Sequence, residues 1–168
     1  DPMRDETQVG PLAREDLRQT LERQVQQTLD SGAKLLYGGE RIEGPGFYYL
    51  PTVIAGVRPG MAAFDEETFG PVAAVTVAED ADHAIELANR SSYGLGSSIW
   101  TRNIDRAREM AGRIQAGCVF INELVQSDPR LPFGGIKDSG YGRELSELAT
   151  YEFVNVKSVV LRRSPTPR

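Results

Sequence analysis

"GLGSSIWTRNIDRAREMAGRIQAGCVFIN", residues 94–122, decides the fold class. "GLGSSIWT" reads as a strand. "NIDRAREMAGRIQAG" reads as a helix, because Ile104, Ala107, Ala111 and Ile114 recur at helical spacing and share one face. Asn103 or Thr101 is placed to cap its start, and Gly117 to stop it. "CVFIN", 118–122, is a second apolar strand. Upstream, "DADHAIELANRS", 80–91, repeats the helical pattern with Asp80 as N-cap and Ala81, Ala84, Ile85 and Ala88 on one face. Strands alternating with helices imply right-handed crossovers and an α/β fold with a parallel-type sheet.

Working outward, "VGPLAREDLRQTLERQVQQTLDSGAK", 9–34, is a longer amphipathic helix. Leu17, Leu21, Val25 and Leu29 form its stripe, Pro11 suits its first turn, and Gly32 stops it. "AKLLYGG", 33–39, and "GFYYLPTVIAGV", 46–57, are strand-like, with Pro51 marking an edge or bend. "PVAAVTVA", 71–78, is apolar throughout except Thr76, the pattern of a strand covered on both faces. The loop "ELVQSDPRLPFGGIKDSGYGR", 123–143, is long and without predicted structure, yet carries Pro132, Phe133, Ile136 and Tyr141. It reads as ordered and close to a site. A short helix, "ELSELA" (144–149), a last strand, "FVNVKSVVLRR" (153–163), and a frayed tail, 164–168, close the chain. With no repeat and no linker-like composition, residues 1–150 read as one domain, followed by a C-terminal strand and tail, 151–168.

Bulk properties narrow the function classes. The chain has 168 residues, 40% hydrophobic and 26% charged, with a net charge of −5. That is ordinary for a soluble domain and, without a basic run, argues against nucleic acid as a partner. No stretch has membrane-spanning length. One cysteine excludes a disulfide framework and suits a reducing, cytoplasmic setting. One histidine, His83, excludes a His-based metal cluster, and no metal site is expected. Cys118 reads as a small residue within an apolar strand rather than a nucleophile, since no cationic partner stands beside it in the sequence. Gly135 to Gly140 has the spacing of a phosphate loop, but Tyr141-Gly142 stand where Lys and Ser or Thr are required. "GLGSSI" leads into a strand, not the helix that a dinucleotide fingerprint needs.

"DEETFGPVAAVTV", 65–77, poses the functional question. Three adjacent acids, Asp65, Glu66 and Glu67, run into Phe69-Gly70-Pro71 and an apolar strand. Such acids either face water or hold something polar; by composition alone the first reading is favoured.

The motifs "EETFGPV", "ANRSSYGLGSSIW", "AGCVFIN" and "PFGGIKDSGYGREL", in this order, resemble the NAD(P)-dependent aldehyde dehydrogenases. "DPMRDETQVGPL" is similar to the family's segment after the nucleophilic cysteine. "INELVQSDPRLPFGG" and "YGRELS" are most similar to the succinate-semialdehyde dehydrogenases. The resemblance implies an oxidoreductase that converts an aldehyde to the acid with NAD or NADP. It implies that Glu67 accepts hydrogen bonds from the nicotinamide ribose hydroxyls and that Phe69 packs beside the nicotinamide ring. Ser127 would hold the distal carboxylate of succinate semialdehyde, and Phe133 would line the aldehyde tunnel or anchor its loop. Asp65 and Glu66 are left as solvated turn charges, Arg130 as an exposed loop residue, and Lys137 and Arg143 with generic electrostatic roles. Asn122 is expected to tie loop backbone. The nucleophilic Cys, the general-base Glu and the dinucleotide-binding domain would lie in preceding polypeptide. This chain would then hold no catalytic residue, be inactive alone, and work with the remainder of its subunit. The last strand would pair with another subunit in a homo-oligomer. The alternative is a non-catalytic association module.

Overall fold

A computed structural model describes residues 1–162. The chain forms two compact units, Asp1–Ser92 and the residues from Tyr93 on. Nothing in the composition around 92 marks that break.

The first unit contains α1 (Glu15–Asp30), β1 (Lys34–Tyr37), β2 (Thr52–Ala55), α2 (Ala62–Asp65), β3 (Val72–Val75) and α3 (Ala81–Asn89). The sheet order is β1-β2-β3. β1 runs antiparallel to β2, with an irregularity between Leu35 and Tyr37. β2 and β3 are parallel, in register from Thr52–Val72 to Ala55–Val75. The stripe of α1 provides one side of the core: Leu21 and Val25 pack with Tyr49, Ile54, Val57, Met61 and Ala63. Fully burying an aliphatic side chain of this size stabilises by about 2 kcal/mol.

Two expectations for this unit are corrected. α1 begins at Glu15, not at Pro11, because Leu12 donates its N–H to the Phe47 carbonyl and holds the chain extended ahead of the helix. β3 is not covered on both faces: Ala73, Ala74 and Val75 are exposed on this chain. α3 starts as predicted, with the Asp80 carboxylate accepting from the His83 N–H. His83 is half-buried, and its Nδ1 accepts from the Glu79 N–H.

The second unit contains β4 (Tyr93–Gly94), β5 (Gly96–Ile99), α4 (Ile104–Ala111), β6 (Cys118–Ile121), β7 (Ile136–Lys137) and a 3-10 turn, Glu147–Phe153. β5–α4–β6 is a parallel crossover, in register from Gly96–Cys118 to Ile99–Ile121. The expected α/β unit is therefore present. The parallel pairing is divided between small sheets, however, and the stretch 93–99 is split between β4 and β5. Asn103 caps α4 with its side chain, accepting from the Arg106 N–H. The helix ends at Ala111 with Gly112 as C-cap, ahead of the predicted stop at Gly117. Ala107 is fully buried, whereas Ile104, in the first turn, is exposed.

The loop after β6 is not structureless. β7 pairs antiparallel with β4, and Phe133 and Glu144 exchange backbone hydrogen bonds at 2.8 Å each. The helix predicted at 144–149 appears instead as the later 3-10 turn, because Leu145 and Ser146 take left-handed φ values of 62° and 52° and bend the chain first. Residues 154–162 form no strand: they carry no secondary structure and are exposed. A strand requires a ladder partner, and no edge of the described chain supplies one. Arg163 and the tail 164–168 lie outside the described residues.

Candidate functional site

The acidic run has three different fates. Asp65 Oδ2 accepts from the Gly60 N–H at 2.9 Å, closing the turn before α2. Glu66 Oε2 accepts from Arg23 Nη2 at 2.9 Å and from Gln24 Nε2 at 3.0 Å, both on α1. Those hydrogen bonds, Arg23's foremost, lower the Glu66 pKa. Both acids are exposed, as the reading of solvated turn charges requires, but each also holds a group of the protein's own. Glu67 is exposed and its carboxylate has no protein partner among the described residues. Its backbone is nevertheless tied, because Gln24 Nε2 also donates to the Glu67 carbonyl at 3.0 Å.

The next residues are held by the same helix. A methyl group at Gly70 would stand 2.5 Å from Leu21 Cδ2, so this position packs directly on α1. The Gly70 N–H donates to the Thr68 carbonyl at 2.9 Å, and the Thr52 N–H donates to the Pro71 carbonyl at 2.8 Å. The chain thereby turns sharply and enters β3. Phe69, between these anchors, is 66% exposed. A free carboxylate and an open aromatic face, two residues apart on a pinned backbone, can accept two hydroxyl donors and offer a flat apolar surface. That pairing suits a ribose joined to a planar ring.

In the second unit, Ser127 is exposed, in a stretch from Glu123 to Arg130 that carries no strand or helix. Asp128 shapes the turn beside it. Its carboxylate accepts from the Arg130 backbone N–H and Nε at 2.9 Å each, and from Nη2 at 2.6 Å. The Arg130 hydrogen bonds bring the Asp128 pKa from 3.8 down to about 2. Arg130 is exposed as expected, but its charge is already matched. Phe133 is half-buried and locked by its backbone bridge to Glu144. It lines a concavity of about 370 Å³ with Leu95, Tyr141, Arg143, Glu152 and Phe153. The backbone bridge accounts for Phe133 as a loop anchor, and its ring is one wall of this concavity. Ser127 is not part of that wall.

The glycine loop is closed by contacts that exclude side chains. A methyl group at Gly117 would overlap the Gly134 carbonyl oxygen, and one at Gly134 would overlap the Gly142 carbonyl oxygen. Arg143 Nη1 donates to the Gly135 and Gly142 carbonyls at 2.8 Å each, a specific structural role in place of a generic charge. Ser139 Oγ accepts from the Gly94 N–H at 3.0 Å. Asn122 ties backbone, but that of Thr101 after β5 and not of the 123–143 loop: Nδ2 donates to the Thr101 carbonyl and Oδ1 accepts from the Thr101 N–H, both at 2.8 Å. Cys118 is half-buried, its Sγ 4.0 Å from the Pro132 and Gly134 carbonyls.

Gln24 escaped the sequence reading. The signal that could have found it is a polar residue three positions after Leu21 and adjacent to Val25, on the apolar side of an amphipathic helix. Among the described residues, no group of three or more His, Cys, Asp or Glu side chains is placed to hold a metal ion. No helix among them is long and apolar enough to cross a membrane.

These features are those of a known class. Residues 1–159 match the aldehyde dehydrogenase family, and the chain belongs to that family. It is 54% identical over 159 residues to the succinate semialdehyde dehydrogenase Sad of Escherichia coli K12, covering 95% of this chain and 34% of that protein. It is 49% identical over 159 residues to a succinate-semialdehyde dehydrogenase named for NADP(+) from Mycobacterium ulcerans, covering 95% of this chain and 35% of the relative. Among solved structures, the succinic semialdehyde dehydrogenase of Streptococcus pyogenes, in complex with NADP+, superposes with a TM-score of 0.92. It shares 44% identity, over 97% of this chain and 36% of that one. The chain thus spans about a third of the length of the relatives it matches.

Proposed function

We propose that this chain is part of an NAD(P)+-dependent aldehyde dehydrogenase that oxidises succinate semialdehyde to the dicarboxylic acid. The observation that carries the reading is the Glu67–Phe69 segment: a carboxylate without a protein partner, on a backbone pinned by Gln24, next to a 66% exposed phenyl ring. The names of the relatives supply the substrate class. In this reading Glu67 accepts the two ribose hydroxyls, and Phe69 packs on the nicotinamide face and limits its rotation. Bound NAD(P)+ supplies the hydride acceptor. The chain's own residues orient and exclude: Glu67 fixes the ribose, Phe69 displaces water from one ring face, Ser127 donates to the distal carboxylate of the substrate, and Phe133 stiffens its loop. Residues 1–150 then form part of the catalytic domain, working with the rest of the subunit in the cytoplasm.

The sulfur of Cys118 lies at strand β6 against the glycine loop, with no acid, base or cation among its hydrogen-bond partners. It is therefore not assigned as nucleophile, and the 168-residue chain assayed alone should show no aldehyde-dependent NAD(P)H formation. Turnover by it would overturn that assignment. In the full-length polypeptide, Glu67→Gln removes one strong acceptor and should raise KM for NAD(P)+ about tenfold. Hydride transfer should slow with it. Unchanged values would refute the ribose role.

A second reading concerns association. Val156, Val159, Val160 and Leu161 are 80–85% exposed in an extended run with no ladder partner. The run from Val154 to Leu161 then pairs with a second subunit in a homo-oligomer, and an association role without catalysis is the alternative function. Deleting 154–168 from the full-length polypeptide should lower its oligomeric state in light scattering; an unchanged mass would exclude the pairing.

A further inference from the structure

Gln24 is 3% exposed, at the centre of α1's packed face. A glutamine at a core position is costly unless both ends of its amide are satisfied. Here they are not. Both amide hydrogens are used, one on Glu66 Oε2 and one on the Glu67 carbonyl, at 3.0 Å each. The amide oxygen is buried with no hydrogen-bond partner. The surroundings offer acceptors to the nitrogen and nothing to the oxygen, so the side chain's contribution lies in what its N–H groups hold.

What they hold forms a pattern. Leu21, Gln24 and Thr28 lie three and four residues apart and share one side of α1. Leu21 packs against Gly70. Gln24 takes Glu66 and Glu67. Thr28 Oγ1 accepts from the Ala63 N–H at 2.9 Å while donating to the Gln24 carbonyl at 2.7 Å. As α1 advances from 21 to 28, the partners run back from 70 to 63. The helix is a template along which the 63–70 segment is laid antiparallel. Only the middle contact reaches the backbone of the residue whose carboxylate is left free. Arg23 braces it from outside, through Glu66.

We infer that Gln24 is the positioning residue for Glu67: its amide sets the Glu67–Thr68 peptide plane and so aims the free carboxylate at the cofactor ribose. The inference rests on the ribose role proposed above. A loose Glu67 would have to order its backbone on each binding event, and that ordering would weaken affinity for the dinucleotide.

The test uses the full-length polypeptide with kinetics in both substrates. Gln24→Met keeps the volume and removes the donors. It should raise KM for NAD(P)+ about tenfold. KM for the aldehyde should stay within about twofold, a split that general loosening of the fold would not produce. Gln24→Leu is likewise donor-free, should give the same cofactor-specific loss, and serves if Gln24→Met does not fold. Gln24→Lys, which restores donors toward Glu66 and the carbonyl, should recover most of the affinity. Combined with Glu67→Gln, either donor-free variant should add little, because both act through one carboxylate. Additive effects, an equal rise in both KM values, or an unchanged cofactor KM in a Gln24 variant while Glu67→Gln raises it would overturn the positioning role. If Glu67→Gln itself leaves the cofactor KM unchanged, the ribose reading fails first, and the positioning role falls with it.

Discussion

Residues 60–71, which include α2, and residues 123–146, which include β7, are both connecting segments with polar and glycine residues, and they solve opposite problems. The first is held from outside itself. Leu21, Gln24 and Thr28 of α1 grip it at Gly70, at Glu66–Glu67 and at Ala63. The second holds itself in large part, with further ties to β4 and to Gly117. Gly134 meets Gly142, Arg143 reaches back to Gly135, and Asp128 clasps Arg130. A segment gripped by a helix can leave one acid unpaired and still keep its backbone in place. A segment that clasps itself consumes many of its own polar groups, and Ser127, which these contacts do not hold, stands on an exposed arm without secondary structure. In the roles proposed for them, the Glu67 backbone is held before a ligand arrives and the Ser127 arm is not. The expected consequence is that Glu67 acts on affinity, and Ser127 on selectivity, with part of its contact energy lost to ordering the arm.

The contrast can be broken most severely at Gly117. A Cβ there overlaps the Gly134 carbonyl oxygen, and backbone atoms on both sides cannot move away cheaply. Gly117→Ala should destabilise the self-clasped region by about 3 kcal/mol. That corresponds to a fall in melting temperature of about 10 °C or more, read by calorimetry. An unchanged melting temperature would mean that this packing is not what orders the loop. Ser127→Ala sharpens the other side. It should raise KM for succinate semialdehyde about tenfold, with a smaller change for an uncharged aldehyde of similar length. Equal changes for the two aldehydes would remove Ser127 from substrate selection.

The smallest effect is on acidification. The folded-state pKa of Asp128 is depressed to about 2 by Arg130, below its ordinary 3.8. A depressed carboxylate contributes stability that is full above the unfolded value and is lost as pH falls through the folded one. The Asp128–Arg130 clasp should thus persist at pH 4 and weaken only toward pH 2, followed by NMR titration of the Asp128 carboxyl. Because the pair is exposed, Asp128→Asn should shift the melting temperature by less than Gly117→Ala does. A midpoint near 4 would show that the clasp does not form.

Much of the fold was legible because its signals are local. The α4 cap at Asn103, the α3 cap at Asp80 and the parallel β5–α4–β6 crossover follow from side chains within a few residues of each other. Pro11 misled because a bridge from Leu12 to Phe47, far along the chain, outweighs a favourable first-turn residue. "PVAAVTVA" reads as a doubly covered strand, yet Ala73 to Val75 are open on this chain, since apolar composition says a face will be covered without saying by what. β7 was missed because a two-residue strand has no periodicity to detect. At the candidate site, the motif singled out Glu67 and Phe69 for the proposed role, but the partners of Asp65 and Glu66 depend on pairings that no spacing announces.

By itself, the amino-acid sequence determined the alternation of helices and strands, the caps that start them, the glycines of the 134–142 loop and the family motif around Glu67. Those properties depend on neighbours in the chain. Which of three adjacent acids stays free was decided only by the tertiary structure. Chemically Glu66 and Glu67 are the same side chain. The docking of α1 brings Arg23 and Gln24 onto the first and leaves the second with a tied backbone and an open carboxylate.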